Sequence, residues 1–360
     1  MKVIVVGGGV IGCSIAMHLQ KARNTVVLLE RGGIGGEASG AAAGMLIAPI
    51  EDAGNRNFDE LRRASLAMYP TLLREVQRLS GIDVEYKKQG MIRTARTPEF
   101  ARKLKALARR RDGLEWVEPE VLRDLEPALS PSLLGAAYGA DDADLNPGLL
   151  TKALAGAAQK LGAVIRTETM LTGFLGRGNS VDGVSTSRGD VLADAVVLAA
   201  GPWTEPLSQR LGKRVRTPPM RGQMIAYRSH SLRHAIWGED GYLVPKPRGM
   251  VFAGATVEDV GFRKTTTARA LAGLERMASA LVPVLASSRV ASSWAGLRPG
   301  SPDGLPVIGC FPGKDNVYLA TGHFRNGVLL APITGALVTD LVLNGKPDRR
   351  LRPYSPERFS

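Results

Sequence analysis

Gly7, Gly9 and Gly12 form GxGxxG directly after the apolar run KVIVV and ahead of VIGCSIAMHLQKA, whose apolar positions fit a helix packed on a sheet. Glycine at these places permits a tight turn. It also lets a pyrophosphate approach the unpaired N–H groups of the first helical turn. Glu30 closes the next apolar run, TVVLLE, about 20 residues further on, where a carboxylate can accept hydrogen bonds from a ribose. A strand, a glycine turn, a helix and a second strand ending in an acid make a β-α-β dinucleotide site.

Two further stretches choose the dinucleotide. Arg31 to Pro49, RGGIGGEASGAAAGMLIAP, is almost all small residues, with Ser39 available for a phosphate or ribityl contact. An extended flavin dinucleotide needs such a second backbone track, whereas a nicotinamide site continues into another strand and helix. Near the C-terminus NVYLATG ends in Thr321-Gly322 before a new helix, whose dipole can face the ring edge where negative charge develops on reduction. Gly201 closes another buried strand, DAVVLAAG. Two distant glycine turns on one sheet suit FAD better than NAD.

The substrate side is read from arginines in turns. Arg298 in WAGLRPGSPDGLPVIG and Arg325 in TGHFRNG stand among Gly, Pro and apolar residues, where a guanidinium is suited to bidentate pairing with a carboxylate. Tyr242 in GYLVP can add a phenolic hydrogen bond. Cys13, just after Gly12, is expected to be a small packed residue. His18, His230, His234 and His323 lack metal-ligand spacing, so no metal site is expected. With no G-x-S-x-G elbow and no P-loop, hydrolase and NTPase readings have little support.

These residues need a fold of matching size. The chain has 360 residues, 44% of them hydrophobic and 22% charged, enough for a full core and about two domains. Its composition excludes disordered and collagenous classes. Cys13 and Cys310 are the only cysteines, which fits a reducing compartment and a cytoplasmic protein. No run approaches the ~18 uninterrupted apolar residues of a membrane span, and MKVIVVGGG reads as neither signal peptide nor anchor. The net charge of +13 comes from 47 Lys and Arg against 34 Asp and Glu, scattered with RRR at Arg109–Arg111 the longest run. A solvated basic surface accounts for it, and no nucleic acid is expected.

The segments GGGVIGCSIAMHL, LLERGGIGGEASGAAAGML, VVLAAGPW, GYLVPK, WAGLRPGSPDGLPVIG and TGHFRNGVLLAPITG resemble the D-amino-acid oxidase family of FAD enzymes, in order and at compatible spacing. The resemblance implies an α/β protein: a Rossmann-like FAD-binding domain (1–82, 140–217 and 300–360) and an α+β substrate domain on a mostly antiparallel sheet (83–139 and 218–299). It implies FAD contacts from Val10, Ile11, Glu30, Arg31, Ala38, Ser39, Gly44, Met45, Leu171 through its backbone, and the run His323, Phe324, Arg325, Asn326, Gly327, Val328 and Leu329. Arg298 matches the arginine that holds the substrate carboxylate, Tyr242 a supporting tyrosine and Arg325 a second substrate-side contact. Sarcosine-oxidising relatives carry a flavin-attaching cysteine about where Gly296 stands, so the FAD is expected to be non-covalent.

The activity implied is oxidative deamination of glycine and other small primary or secondary amines, sarcosine and small D-amino acids among them, with O2 reduced to H2O2 and a role in thiamine biosynthesis. Asp240 and Val257 depart from the histidine and methionine found in some relatives and leave the amine preference open. Two alternatives stand beside it: a D-amino-acid dehydrogenase with a quinone acceptor, and an oxidase acting on a glycine-like adduct of tRNA. A homo-oligomer is expected.

Overall fold

A computed structural model gives the fold of residues 1–47 and 55–359. The valine-rich run Lys2–Val6 becomes the central strand of a six-stranded sheet ordered Val307–Cys310, Val317–Thr321, Ala195–Leu198, Lys2–Val6, Thr25–Leu29 and Val164–Arg166. All neighbours are parallel except the hairpin of the first two. Strands buried on both faces carry near-continuous apolar residues, and this one does. Val3 and Val5 face a layer of helices, whereas Ile4 and Val6 face a three-stranded antiparallel sheet, Leu171–Leu175, Gly183–Thr186 and Gly189–Leu192.

From Lys2–Val6 the chain proceeds outward to one side, then crosses to Ala195–Leu198 on the other. The strand order therefore reverses between these two strands, and the carboxyl ends of strands at such a reversal open a ligand crevice. Gly7 and Gly201 stand at those two ends.

The helix layer contains Val10–Lys21, Arg56–Ser80, Pro147–Lys160 and Gly327–Asn344. The last, GVLLAPITGALVTDLVLN, is apolar around its whole circumference and long enough to cross a membrane by length and composition. The sequence reading did not single it out because Asp340 interrupts the apolar run. Here it is a core helix, 67% buried, and Ser14 Oγ of Val10–Lys21 donates to Ala331 O at 2.7 Å across the contact.

A second sheet has nine strands: Glu258–Asp259, Pro219–Arg228, Met250–Gly254, Tyr242–Lys246, Ala235–Trp237, Met91–Thr94, Ala136–Gly139 and Leu114–Val117 in order, with Val290–Pro299 added beside Pro219–Arg228. Every pairing is antiparallel except Ala235–Trp237 with Met91–Thr94. Ile92, Ile225, Ile236, Leu243 and Ala253 form its back face under the amphipathic helix Ala268–Leu281. Its front face carries one register row, Trp294, Met224, Gly254, Tyr242, Trp237 and Arg93.

The run from Asp83 to Arg96 alternates in polarity as a half-exposed strand would, yet most of it is not one. Only Met91–Thr94 pairs in the sheet, because Glu85 and Gly90 take left-handed conformations (φ 58° and 79°) that break an extended run.

Candidate cofactor and substrate site

The crevice is part of a cavity of about 1570 Å³ lying between the two sheets. At its dinucleotide end Gly7 adopts φ 114°, and a side chain there would collide with the Ala199 carbonyl of the neighbouring strand. Gly12 is packed behind the turn against the Gly7 carbonyl. Among the predicted cofactor residues it alone does not line the cavity; it allows the helix to approach the strand. The Glu30 carboxylate accepts from Gly8 N at 2.6 Å and from Gly32 N at 2.8 Å, pinning the turn to the end of the second strand. Each oxygen keeps acceptor capacity for a ribose hydroxyl.

Ser39 joins the small-residue track to this turn. Its hydroxyl accepts from Val10 N at 2.9 Å. Ala38, Gly44 and Met45 continue the track along the cavity wall, with Gly44 at φ 87° beside the Leu145 carbonyl. The final part of the Arg31–Pro49 track lies outside the described residues. Opposite, Gly322 and Phe324 turn the chain with positive φ into the helix starting at Gly327. Asn326, Gly327, Val328 and Leu329 present that helix start to the cavity, and no side chain caps it. Thr321 Oγ1 donates to Gly201 O at 3.0 Å, holding the two strand ends together.

His323 is buried, with Nε2 3.1 Å from Thr334 Oγ1, and burial pushes its pKa down to about 3. The imidazole is neutral and fixes the turn. Cys13 is buried, and burial raises its thiol pKa, as expected of a packed, inert residue.

On the substrate side, Arg298 on Val290–Pro299 lies over Gly222 of the paired strand, where any side chain would occupy the space of the guanidinium. Nη1 donates to Thr256 O at 2.9 Å. Tyr242 stands beside it, its hydroxyl donating to Met224 Sδ at 3.8 Å, and Arg325 is near enough for its charge to bear on both. Burial raises the Tyr242 pKa, so the phenol keeps its proton. Burial lowers that of Arg298. Among the described residues no carboxylate pairs with Arg298. A guanidinium so placed is matched by an anionic ligand.

The family model described as FAD dependent oxidoreductase matches residues 2–341. The chain belongs to this FAD dependent oxidoreductase family. Among proteins it resembles, glycine oxidase of Pseudomonas putida is 35% identical over 99% of this chain and 98% of its own length. Glycine oxidase of Bacillus subtilis is 34% identical over 95% and 93% respectively. The bifunctional protein ThiO/ThiG of a Synechocystis strain is 33% identical over 99% of this chain, which spans 54% of that protein. Among solved structures, glycine oxidase from Geobacillus kaustophilus superposes with a TM-score of 0.93 at 33% identity, covering 98% of this chain and 97% of that one.

Membership in an FAD dependent oxidoreductase family accords with the residues present. The glycine turn, the uncapped start of Gly327–Asn344 and the close-packed track all border one cavity long enough to connect both glycine turns. Leu171 and Gly201 also line it.

Sequence reasoning missed several residues. Trp203 lies under the Arg31 guanidinium, 3.6 Å from ring centroid to Cζ, and Arg31 also pairs with Glu37 at 3.0 Å. Phe262 stacks near Trp203, and Lys264 Nζ donates to Glu37 at 2.7 Å, so a loop of the second sheet reaches the dinucleotide end. Trp294 Nε1 donates to Ala41 O at 3.0 Å, and Gly296 leaves room for Ala41 itself. These partners are separated by more than 150 positions in sequence, except Glu37 from Arg31 and Phe262 from Trp203, and no local pattern marks them. Asp240, one of the two departures, is bonded to Arg96, while Val257 is 42% exposed at the cavity.

Proposed function

We propose that this protein is an FAD-dependent amino-acid oxidase that deaminates glycine and other small primary or secondary amines and serves thiamine biosynthesis. The observation that carries the reading is Arg298: a half-buried guanidinium with no carboxylate partner among the described residues, opening on the cavity that holds the glycine turns. The substrate carboxylate would take the place of that missing partner. Tyr242 would add a neutral hydrogen bond and Arg325 a second cation at the rim.

Orientation is the chain's main contribution, because a carboxylate fixed by a planar fork leaves the adjacent Cα–H one position over the cofactor. Gly222 and Thr256 hold the fork from below and from one side. The cofactor residues would be those predicted from the sequence, with Glu30 toward the ribose and the starts of Val10–Lys21 and Gly327–Asn344 toward negative charge. When bound, FAD supplies a two-electron acceptor for the Cα–H of the amine and passes the electrons to O2 as H2O2. Neither neutral His323 nor protonated Tyr242 is suited to act as a base at neutral pH, so the substrate would enter with its amine deprotonated. Water converts the resulting imine to a 2-oxo acid and ammonia.

This reading divides the chain into a dinucleotide domain (1–82, 140–217, 300–360) and a substrate domain (83–139, 218–299), and makes it a cytoplasmic homo-oligomer. Size-exclusion chromatography with light scattering tests the last point. The visible spectrum of the purified protein, recorded anaerobically with and without glycine, tests the reaction. Flavin absorbance near ~450 nm that bleaches with glycine supports the reading. Bound flavin that neither glycine, sarcosine nor D-alanine bleaches defeats it.

A further inference from the structure

Pro332 stands in the second turn of helix Gly327–Asn344, the helix whose start borders the cavity. A proline has no N–H to donate, and its ring crowds the carbonyl four residues back, here that of Val328. The Val328 carbonyl is thus without its regular helical donor, inside the turn that fronts the cavity. Val328 is buried, and a buried carbonyl left unpaired costs free energy.

Helix Arg56–Ser80 supplies the missing donor. The Tyr69 hydroxyl donates to Val328 O, and Ser65, four residues earlier on the same face, donates from Oγ to Leu329 O at 2.6 Å. The Ser65 hydroxyl also accepts from Ile333 N at 3.4 Å, so it stands between a carbonyl and the N–H that would bond it in a regular helix. Tyr69 and Ser65 are 1% and 0% exposed, and hydroxyls are buried to this degree at a cost unless they are bonded. Burial pushes the Tyr69 phenol above its ordinary pKa of 10.0, so it remains a donor at neutral pH.

These bonds reach the cofactor side through the backbone. Val328 O and the Leu329 N–H belong to one peptide unit, and donation to the oxygen polarises the N–H at its other end. The first bond inside the helix runs from Leu330 N to Asn326 O at 2.8 Å, so the N–H groups of Gly327, Val328 and Leu329 have no acceptor within the helix. They carry the positive end of the helix dipole at the cavity. Neither Ser65 nor Tyr69 lines the cavity, so each acts through the helix. We infer that Tyr69 and Ser65 are positioning residues for the flavin: they hold and polarise the helix start that Pro332 opens, and so set how well it stabilises the negative charge that reduction places on the ring. The inference rests on the placement of the flavin ring at the start of Gly327–Asn344 adopted above.

Two measurements on the FAD-loaded protein test it. Sulfite adds reversibly to oxidised flavin and reports positive charge beside the ring, and the two-electron midpoint potential reports the same property without an added ligand. Tyr69→Phe keeps the aromatic ring and removes only the donor. Its sulfite dissociation constant should rise by about tenfold, the scale of one hydrogen bond, and its potential should fall by about 30 mV, the same factor for a two-electron couple. Ser65→Ala should shift both in the same direction. Pro332→Ala gives residue 332 the N–H that Val328 O lacks, so Tyr69→Phe combined with Pro332→Ala should recover most of the loss. A tyrosine needed only to fill the core would leave both readouts unmoved in Tyr69→Phe, and a loss that Pro332→Ala does not restore would arise elsewhere than at the Val328 carbonyl; either result overturns the inference. If Tyr69→Phe does not fold, unmoved readouts in Ser65→Ala overturn it instead.

Asn326→Asp is the control, since it sets a carboxylate at the cavity-facing end of the helix. It should weaken sulfite binding as well. If it does so while Tyr69→Phe does not, the flavin lies where it was placed and the positioning role alone fails. If it moves neither readout, the flavin placement fails and the inference with it. Substrate enters neither measurement, so inertness toward glycine would defeat the oxidase reading alone.

Discussion

Gly222 lies directly beneath the Arg298 guanidinium, in the strand paired with that of Arg298, and the missing side chain is the space the fork occupies. A methyl group there must displace the guanidinium or the strand. Gly222→Ala should therefore raise the KM for glycine by about tenfold, the scale of one impaired charged hydrogen bond, with little change in FAD content. Steady-state kinetics with the flavin absorbance of the same sample check both parts.

Removing the fork itself has a larger effect. Arg298→Ala should raise the apparent glycine constant by about a hundredfold while FAD stays bound, because the lost group faces substrate and not the glycine turns. An unchanged constant would remove Arg298 from the substrate site.

On the proposed reading Tyr242 offers the substrate one neutral hydrogen bond beside Arg298, so Tyr242→Phe should raise KM by about fivefold. Burial holds its pKa above the ordinary value of 10.0. The pH profile of kcat/KM should therefore show no tyrosine ionisation below pH 10, and the wild type and Tyr242→Phe profiles should run parallel up to that point.

His323 is buried and His18 half-buried, and desolvation lowers both pKa values, that of His323 to about 3 against an unperturbed 6.5. Below pH 6.5 the unfolded chain binds protons that the folded imidazoles refuse, so stability falls as pH drops from about 6.5 toward 3. For His323 alone the slope approaches about 1.4 kcal/mol per pH unit within that window. Urea unfolding of holoprotein between pH 7.5 and 5 measures it, and His323→Asn should flatten the curve.

Lys246 Nζ donates to Asp144 Oδ1 at 2.6 Å and to Leu145 O at 2.9 Å, a buried clamp between the nine-stranded sheet and the strand paired with Met45. Burial raises the Asp144 pKa and lowers that of Lys246, although each partner opposes the shift of the other. Lys246→Met leaves a buried carboxylate alone and should cost about 3–5 kcal/mol. Adding Asp144→Leu should recover much of it, which differential scanning calorimetry would show.

The dinucleotide half was legible because its chemistry is local. Gly7, Gly9, Gly12 and Glu30 fall within one β-α-β unit, where glycine positions and strand composition fix the turn and its ligand together. Arg298, Tyr242 and Arg325 were legible through family resemblance, and their convergence came from pairing among strands far apart in the chain. What only the tertiary structure decided was which residues become neighbours across sheets and layers: Gly222 under Arg298, Trp203 under Arg31, and Arg93 in one row with Tyr242. It also decided that Gly327–Asn344 is a core helix, since the apolar surface of a helix does not state whether protein or lipid will cover it. Side-chain periodicity within a segment is set by backbone geometry and can be read from sequence, whereas register between distant strands is set by the packing of the whole fold.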